Sequence, residues 1–129
     1  MNTVDVTLKR VEITSFDARA KSVGFRLILN DGKDKAMQRQ ETVNDPKALA
    51  SELFQDVRKK MKELHRSNSI EDGPLEGVTM VRIQGDEELL IERIGKFFSV
   101  VKEKVRNGQM RKLSYYDMER QIIGLKTDL

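Results

Sequence analysis

Two long segments of this chain repeat apolar side chains at helical spacing, and this feature most limits the folds open to it. The apolar positions are Leu49, Leu53, Val57, Met61 and Leu64 in the first segment and Leu90, Ile94, Phe97, Val101 and Val105 in the second. A single apolar stripe on a helix must be covered by another layer of structure. The sequence therefore predicts two amphipathic helices of about twenty residues that share one core.

Residues with known preferences for helix ends bound both segments. Asp45 followed by Pro46 is typical of a helix start, and Asp86 opens the second helix in the same way. Asn107-Gly108 is expected to end the second helix, since Asn and Gly favour the backbone reversal found there. The glycine- and proline-containing stretch Ser67 to Gly77 is predicted to be a mobile loop between the two helices.

Four further segments have the period-two alternation or β-branched content of strands. They are about Val4 to Ile13, Val23 to Leu29, Ala36 to Val43 and Val78 to Ile83. In the first segment the apolar parity slips, which predicts a bulge or a bend near Lys9-Arg10. The third is polar enough for a solvated edge strand. The fourth has apolar residues on both faces, which favours an internal strand.

A short last helix, about Tyr115 to Ile123, follows a capping box formed by Ser114 and Asp117 and ends at Gly124. The element order is thus β-β-β-α-β-α-α. We expect a single α+β domain over residues 1–129, with one mixed, mostly antiparallel four-stranded sheet on which the two long helices pack. Because a helix connects strands three and four, the fourth strand should run parallel to one of the first three.

Composition excludes several classes of function. The chain has no cysteine, so disulfides, thiolate metal sites and thiol nucleophiles are ruled out. No stretch approaches the roughly 20 apolar residues of a membrane span, and the N-terminus lacks the apolar segment of a signal peptide. We expect a cytoplasmic, soluble protein that does not contact a membrane and folds without a metal or cofactor.

Catalytic motifs are also missing from the sequence. There is no glycine-rich phosphate-binding loop, and the eight glycines are scattered at turns and helix ends. His65 is the only histidine, and it lies at the basic end of the first long helix. A histidine there favours the helix dipole and cannot form a His-rich metal site alone. The sequence thus favours a protein without catalytic activity over an enzyme.

Two basic clusters at helix ends are the candidate binding residues. They comprise Arg58, Lys59, Lys60 and Lys62 in the first helix, and Lys102, Lys104, Arg106, Arg111 and Lys112 in and after the second. Tyr115 and Tyr116 lie close to the second cluster in sequence. Basic residues interleaved with aromatics are used by binders of single-stranded nucleic acid. The alternative is that these cations only balance helix dipoles. If the helices run in the same direction, the clusters would meet at one edge of the sheet.

The segment Val81-Arg82-Ile83-Gln84-Gly85-Asp86-Glu87-Glu88-Leu89-Leu90-Ile91 resembles the fourth strand and following helix of ribonuclease H-like proteins. That resemblance implies a metal-dependent nuclease in which four carboxylates hold two Mg²⁺ ions. In chain order these would be Asp17, Glu52, Asp86 and Asp117. Asp17 is followed by Ala18-Arg19-Ala20, where the family has a glycine-rich segment.

These observations rank three functions. The favoured function is a non-catalytic module that binds a protein partner or self-associates, because no catalytic signature is present. A nucleic-acid-binding protein that uses the basic helix ends is the first alternative. A ribonuclease H-like metal-dependent nuclease, or a degenerate relative, is the second.

Overall fold

The computed structural model describes residues 3–30, 36–68 and 80–129. The elements are β1 Thr3–Val6, β2 Leu8–Asp17, β3 Ser22–Leu29, β4 Ala36–Glu41, α1 Pro46–Asn68, β5 Met80–Ile83, α2 Glu87–Met110, α3 Tyr115–Ile122 and β6 Lys126–Asp128. The α+β class and the predicted order of elements are confirmed. The predictions for residues 69–77 of the loop and for the side chain of His65 lie outside the described part of the chain.

The strands form two sheets rather than the single sheet predicted. Four strands pair antiparallel in the order β4-β3-β2-β6, and β1 pairs with β5 in a separate parallel pair. The fourth strand of the larger sheet is therefore β6, at the end of the described chain, and not β5. The predicted parallel pairing of the strand that follows α1 is confirmed, with Val4 opposite Val81.

A local exchange of hydrogen bonds at Thr7 separates β1 from β2. The Thr7 backbone N–H donates to Asn30 Oδ1 at 3.0 Å, and the Asn30 N–H donates to the Thr7 carbonyl at 2.8 Å. Asn30 adopts φ = 52°, a left-handed conformation that asparagine tolerates. The predicted irregularity follows immediately, since the pairing of β2 with β3 shifts register between Leu8 and Arg10. The parity slip in the sequence thus lies just after the point where the chain leaves one sheet for the other.

Both long helices pack on one face of the four-stranded sheet. Side chains that are at most 1% exposed come from the sheet and from each helix: Val11, Ile13, Phe25 and Leu27; Leu53, Phe54 and Val57; Ile94, Phe98 and Val101. The stripe of α1 is buried as predicted over its described side chains. In α2 the prediction for Phe97 is wrong, because Phe98 fills the core and Phe97 is half-buried. Both lie one turn after Ile94, so spacing alone does not distinguish them.

β5 differs from the prediction in its burial. Val81 is buried, whereas Met80 on the opposite face is 53% exposed. The strand is thus covered on one side only, as is normal for a short strand at the border of a domain. Within the described ranges, no helix is both long and apolar enough to cross a membrane.

The two long helices run antiparallel, not in the same direction. Arg58, in the second half of α1, forms an ion pair with Glu87 at the start of α2. Lys102, in the second half of α2, donates through Nζ to the Asn44 carbonyl just before α1 at 2.7 Å. The second half of each helix therefore lies beside the beginning of the other, and the expected meeting of their basic ends does not occur.

Candidate binding surface

The connection between α2 and α3 is a tight corner. α2 continues through Asn107-Gly108, contrary to the prediction, and ends at Met110. Gly108 is buried in the last turn, where an added Cβ would lie 2.9 Å from Met118 Cε. The reversal is made by Lys112 instead, at φ = 54°. The glycine thus serves the close packing of α2 against α3 rather than the end of the helix.

The helix α3 begins as the capping box predicts. The Ser114 hydroxyl accepts a hydrogen bond from the Asp117 backbone N–H at 3.2 Å. Met118 and Ile122 are turned to the core, and they are 6% and 0% exposed. On the same side the Tyr115 hydroxyl donates to the Phe16 carbonyl at 3.0 Å. These contacts fix the rotation of α3 about its axis, so its other side must face solvent.

That outer side carries Tyr116, Arg120 and Ile123, spaced four and three residues apart. The Arg120 guanidinium lies 5.7 Å from the centre of the Tyr116 ring, within the range of a cation–π interaction. Tyr116 is 65% exposed, Ile123 42%, and Met110 across the corner 70%. We call Met110, Tyr116, Arg120 and Ile123, together with Arg111 and Lys112 between the two helices, the corner surface.

The charge of the corner surface is positive. Within the described residues, neither Arg111 nor Lys112 forms an ion pair. The acidic side chains of α3 are those of Asp117 and Glu119. The nearby Glu119 carboxylate is the main factor that raises the pKa of the Tyr115 phenol above its ordinary value, with partial loss of water adding to it. Glu119 is therefore directed towards Tyr115, on the inner side of α3.

The predicted basic residues occupy opposite ends of the antiparallel helix pair. Arg58 is bound to Glu87, Lys102 to the Asn44 carbonyl, and Arg106 lies 3.9 Å from Glu103. Over the ranges that the structure covers, the remaining members have no ion pair: Lys59, Lys60, Lys62, Lys104, Arg111 and Lys112. Lys102 is about 22 Å along α2 from Glu87, at 1.5 Å per residue. A role of these cations in nucleic-acid binding stays a prediction.

The four carboxylates implied by the ribonuclease H-like resemblance have separate local roles. Asp17 accepts from the backbone N–H groups of Arg19 and Ala20 at 2.9 and 3.2 Å, within the turn after β2. Glu52 lies 3.3 Å from Arg39. Asp86 caps α2 by accepting from the Leu89 N–H at 3.3 Å, and Asp117 lies in the first turn of α3.

These four do not form a metal-binding group. Among the described residues, no three Asp, Glu or His side chains are grouped so that they could hold a metal ion. The convergence of Asp17, Glu52, Asp86 and Asp117 that a two-metal nuclease requires is therefore not found in the fold.

The sequence analysis named Arg111 and Lys112 as candidate nucleic-acid-binding residues and noted Tyr116 close to them, but it missed Met110, Arg120 and Ile123. The sequence did contain a signal for Arg120 and Ile123. Once Met118 and Ile122 are assigned to the inner side of α3, the helical period places Arg120 and Ile123 opposite. Met110 was missed because the helix was expected to end before it.

In the comparisons with known proteins, no family model matches the chain, and no curated protein or solved structure is significantly similar to it. The corner surface is therefore interpreted from its own contacts, exposure and charge.

Proposed function

We propose that this chain is a non-catalytic binding module that docks a protein partner on the corner surface. The observation that carries the proposal is the exposure of Met110, Tyr116 and Ile123, each more than two-fifths uncovered, in a short stretch of chain whose cations Arg111 and Lys112 have no ion pair among the described residues. Exposed apolar side chains with polar neighbours are typical of protein interaction sites. The partner would contribute a segment with apolar anchors and acidic flanks.

The apolar side chains supply the affinity in this proposal. Burial of apolar surface contributes about 25 cal/mol per Å² removed from water. Tyr and Arg are among the residues that most often dominate binding energy at interfaces, and both combine a large contact area with a polar group. The Tyr116–Arg120 pair meets that description, and the flexible Met110 can adapt to the shape of an apolar anchor.

The basic rim supplies the preference for an acidic partner. Arg111, Lys112 and Arg120 would attract carboxylates and accelerate the encounter with them. A protein fits the surface better than a nucleic acid does, because Met110 and Ile123 can pack against apolar side chains but offer nothing to a phosphate backbone.

The proposal can be tested by selecting binders from a random peptide display library. We expect the enriched peptides to combine Asp or Glu with Leu, Phe or Trp, and to bind with micromolar affinity in fluorescence anisotropy. Tyr116→Ala and Arg120→Ala should each weaken the binding about tenfold, within the usual cost of truncating an interface anchor. Leu89→Ala is the matched control, because Leu89 is 44% exposed but lies at the other end of α2.

Two results would contradict the proposal. One is the enrichment of peptides whose affinity is the same for the wild type and for both corner variants. The other is micromolar binding of single-stranded oligothymidine that depends on Tyr116 and Arg120, which would support the nucleic-acid alternative instead.

A further inference from the structure

The outer edge of the four-stranded sheet is an open strand. β4 pairs with β3 in continuous register, from Val23 opposite Glu41 to Ile28 opposite Ala36. In the part of the chain that the structure describes, no other strand pairs with β4. Its outward N–H and C=O groups can therefore accept another strand.

Proteins normally protect such edges, and β4 lacks several of the usual devices. Its sequence, Ala-Met-Gln-Arg-Gln-Glu, has no proline and no lysine, and its pairing with β3 has no bulge. The opposite edge of the sheet is different, because β6 is only three residues long and includes Lys126 and Asp128. β4 is therefore the edge of this sheet that is open to pairing.

Three polar side chains of β4 are held by contacts within the molecule. On the helix side, Arg39 is bound by the carboxylates of Glu41 and Asp56 and lies 3.3 Å from Glu52. On the other side, Gln40 Nε2 donates to Ser22 Oγ at 2.8 Å. These contacts lead back into the molecule, so no charged side chain of β4 is free to block an incoming strand.

The same contacts leave an excess of negative charge beside the edge. Three carboxylates, those of Glu41, Glu52 and Asp56, surround the single guanidinium of Arg39. The side chains of Glu52 and Asp56 are 60% and 38% exposed, so they remain accessible to a further cation. These four groups together carry a net charge of −2, from three carboxylates and one guanidinium.

We propose that β4 binds an extended basic segment of a partner protein as an added strand. Backbone hydrogen bonds to the open edge would provide affinity, as in other cases of strand addition. Because side chains alternate along a strand, Lys or Arg at every second position would lie on the helix side, beside Glu41, Glu52 and Asp56. The intervening polar residues would lie beside Gln38 and Gln40. This site is separate from the corner surface. It requires a basic partner, whereas the corner surface requires an acidic one.

A designed peptide can serve as the probe. A peptide of alternating Lys and Thr, long enough to span the six residues of β4, is titrated into the labelled protein and followed by amide chemical shifts. We expect saturable binding and shifts centred on residues 36–41. The same peptide with Glu in place of Lys should bind at least about tenfold more weakly, because it adds like charge to the edge.

Backbone methylation separates strand addition from simple charge attraction. Successive N–H groups of a strand point to opposite edges, so N-methylation of either the Lys set or the Thr set blocks one edge of the peptide. We expect one of these two peptides to lose binding and the other to retain it. Equal binding of both would overturn the proposal, as would no binding of the unmethylated peptide at millimolar concentration.

Protein variants test the charge argument directly. The double variant Glu52→Gln/Asp56→Asn should weaken the binding of the Lys–Thr peptide about three- to tenfold, as expected for partly exposed ion pairs. The control is Glu88→Gln/Glu92→Gln, which removes two carboxylates from α2 and should change the affinity less than about twofold. Equal effects of the two variants would refute the assignment. So would protection of the outward amides of residues 36–41 by dimerisation of the protein without peptide, because a second copy would then occupy the edge.

Discussion

At the scale of single residues, two glycines illustrate how packing assigns different roles to one residue type. Gly24 in β3 lies below the side chains of Ser15 and Gln40, and an added Cβ would be 2.1 Å from Ser15 Oγ and 2.8 Å from Gln40 Oε1. Gly95 in α2 faces the start of α1, where an added Cβ would meet Lys47 Cα at 3.6 Å, an ordinary contact. Only the first position requires the absence of a side chain.

Substitution of these glycines by alanine should therefore change stability in opposite directions. Gly24→Ala should lower the free energy of unfolding by about 1–3 kcal/mol, because the strand must shift or Ser15 and Gln40 must leave their positions. Gly95→Ala should raise it by about 0.5–1 kcal/mol, because alanine favours the helix and fits the available space. Urea denaturation measures both values. Stabilisation by Gly24→Ala would show that the approach of Ser15 is not a real constraint.

The adjacent phenylalanines of α2 provide a second test at this scale. Phe98 is fully buried, and its ring centre lies 4.9 Å from that of Phe25 in an edge-on arrangement. Phe97 is only half-buried. Phe98→Ala should cost about 3–5 kcal/mol of stability, and Phe97→Ala clearly less. If the two variants unfolded at the same urea concentration, the rotation of α2 on the sheet would have to be revised.

At the scale of elements, the sequence predicted the interiors of helices and strands better than their connections. The start of α1 at Asp45-Pro46 and that of α3 at Ser114 were correct, because a cap uses residues that are adjacent in sequence. The end of α2 was wrong because Gly108 is explained by Met118, ten residues later. β6 was missed because three polar residues have no strand pattern, and only pairing with β2 makes them a strand.

The corner surface was predictable only in part for the same reason. Its cations and Tyr116 are visible in the sequence, but their grouping depends on the turn at Lys112 and on the anchoring of Tyr115 to Phe16. The open edge of β4 was predicted from its polar composition. The excess of carboxylates beside it was not, because Glu52 and Asp56 belong to α1 and reach Arg39 only in the folded chain.

The N-terminal cap of α3 stabilises the helix that carries Tyr116 and Arg120 of the corner surface. Ser114→Ala should lower the free energy of unfolding by about 1 kcal/mol, because the hydroxyl that accepts from the Asp117 N–H is lost. Ser114→Asp should retain most of the stability, since aspartate caps equally well. Hydrogen exchange of the α3 amides should accelerate only in the alanine variant. Unchanged exchange there would mean that α3 is held by Met118 and Ile122 alone.

At the scale of the whole molecule, the antiparallel packing of α1 and α2 determines the distribution of charge. The ion pair of Arg58 with Glu87 places the basic end of α1 beside the acidic start of α2. The basic end of α2 adjoins the start of α1, where Lys102 meets Asn44. Positive charge is thereby divided between two distant ends, one of which carries the corner surface. A parallel arrangement would have concentrated it on one surface suited to a polyanion.

This division predicts how the protein responds to nucleic acid. Because the clusters are too far apart to form one patch, single-stranded and duplex DNA should bind no more tightly than about 10⁻⁴ M near physiological salt. At low salt, the variants Lys59→Gln/Lys60→Gln and Lys104→Gln/Arg106→Gln should each weaken the residual binding and reduce its salt dependence. Their effects on the binding free energy should add to within about 0.5 kcal/mol in the quadruple variant, as for independent sites.

Fluorescence anisotropy across a salt series measures the affinity of each variant and its salt dependence. Micromolar binding at physiological salt that either double variant abolishes would show that both clusters contact one strand together, and nucleic acid would then replace protein as the favoured partner.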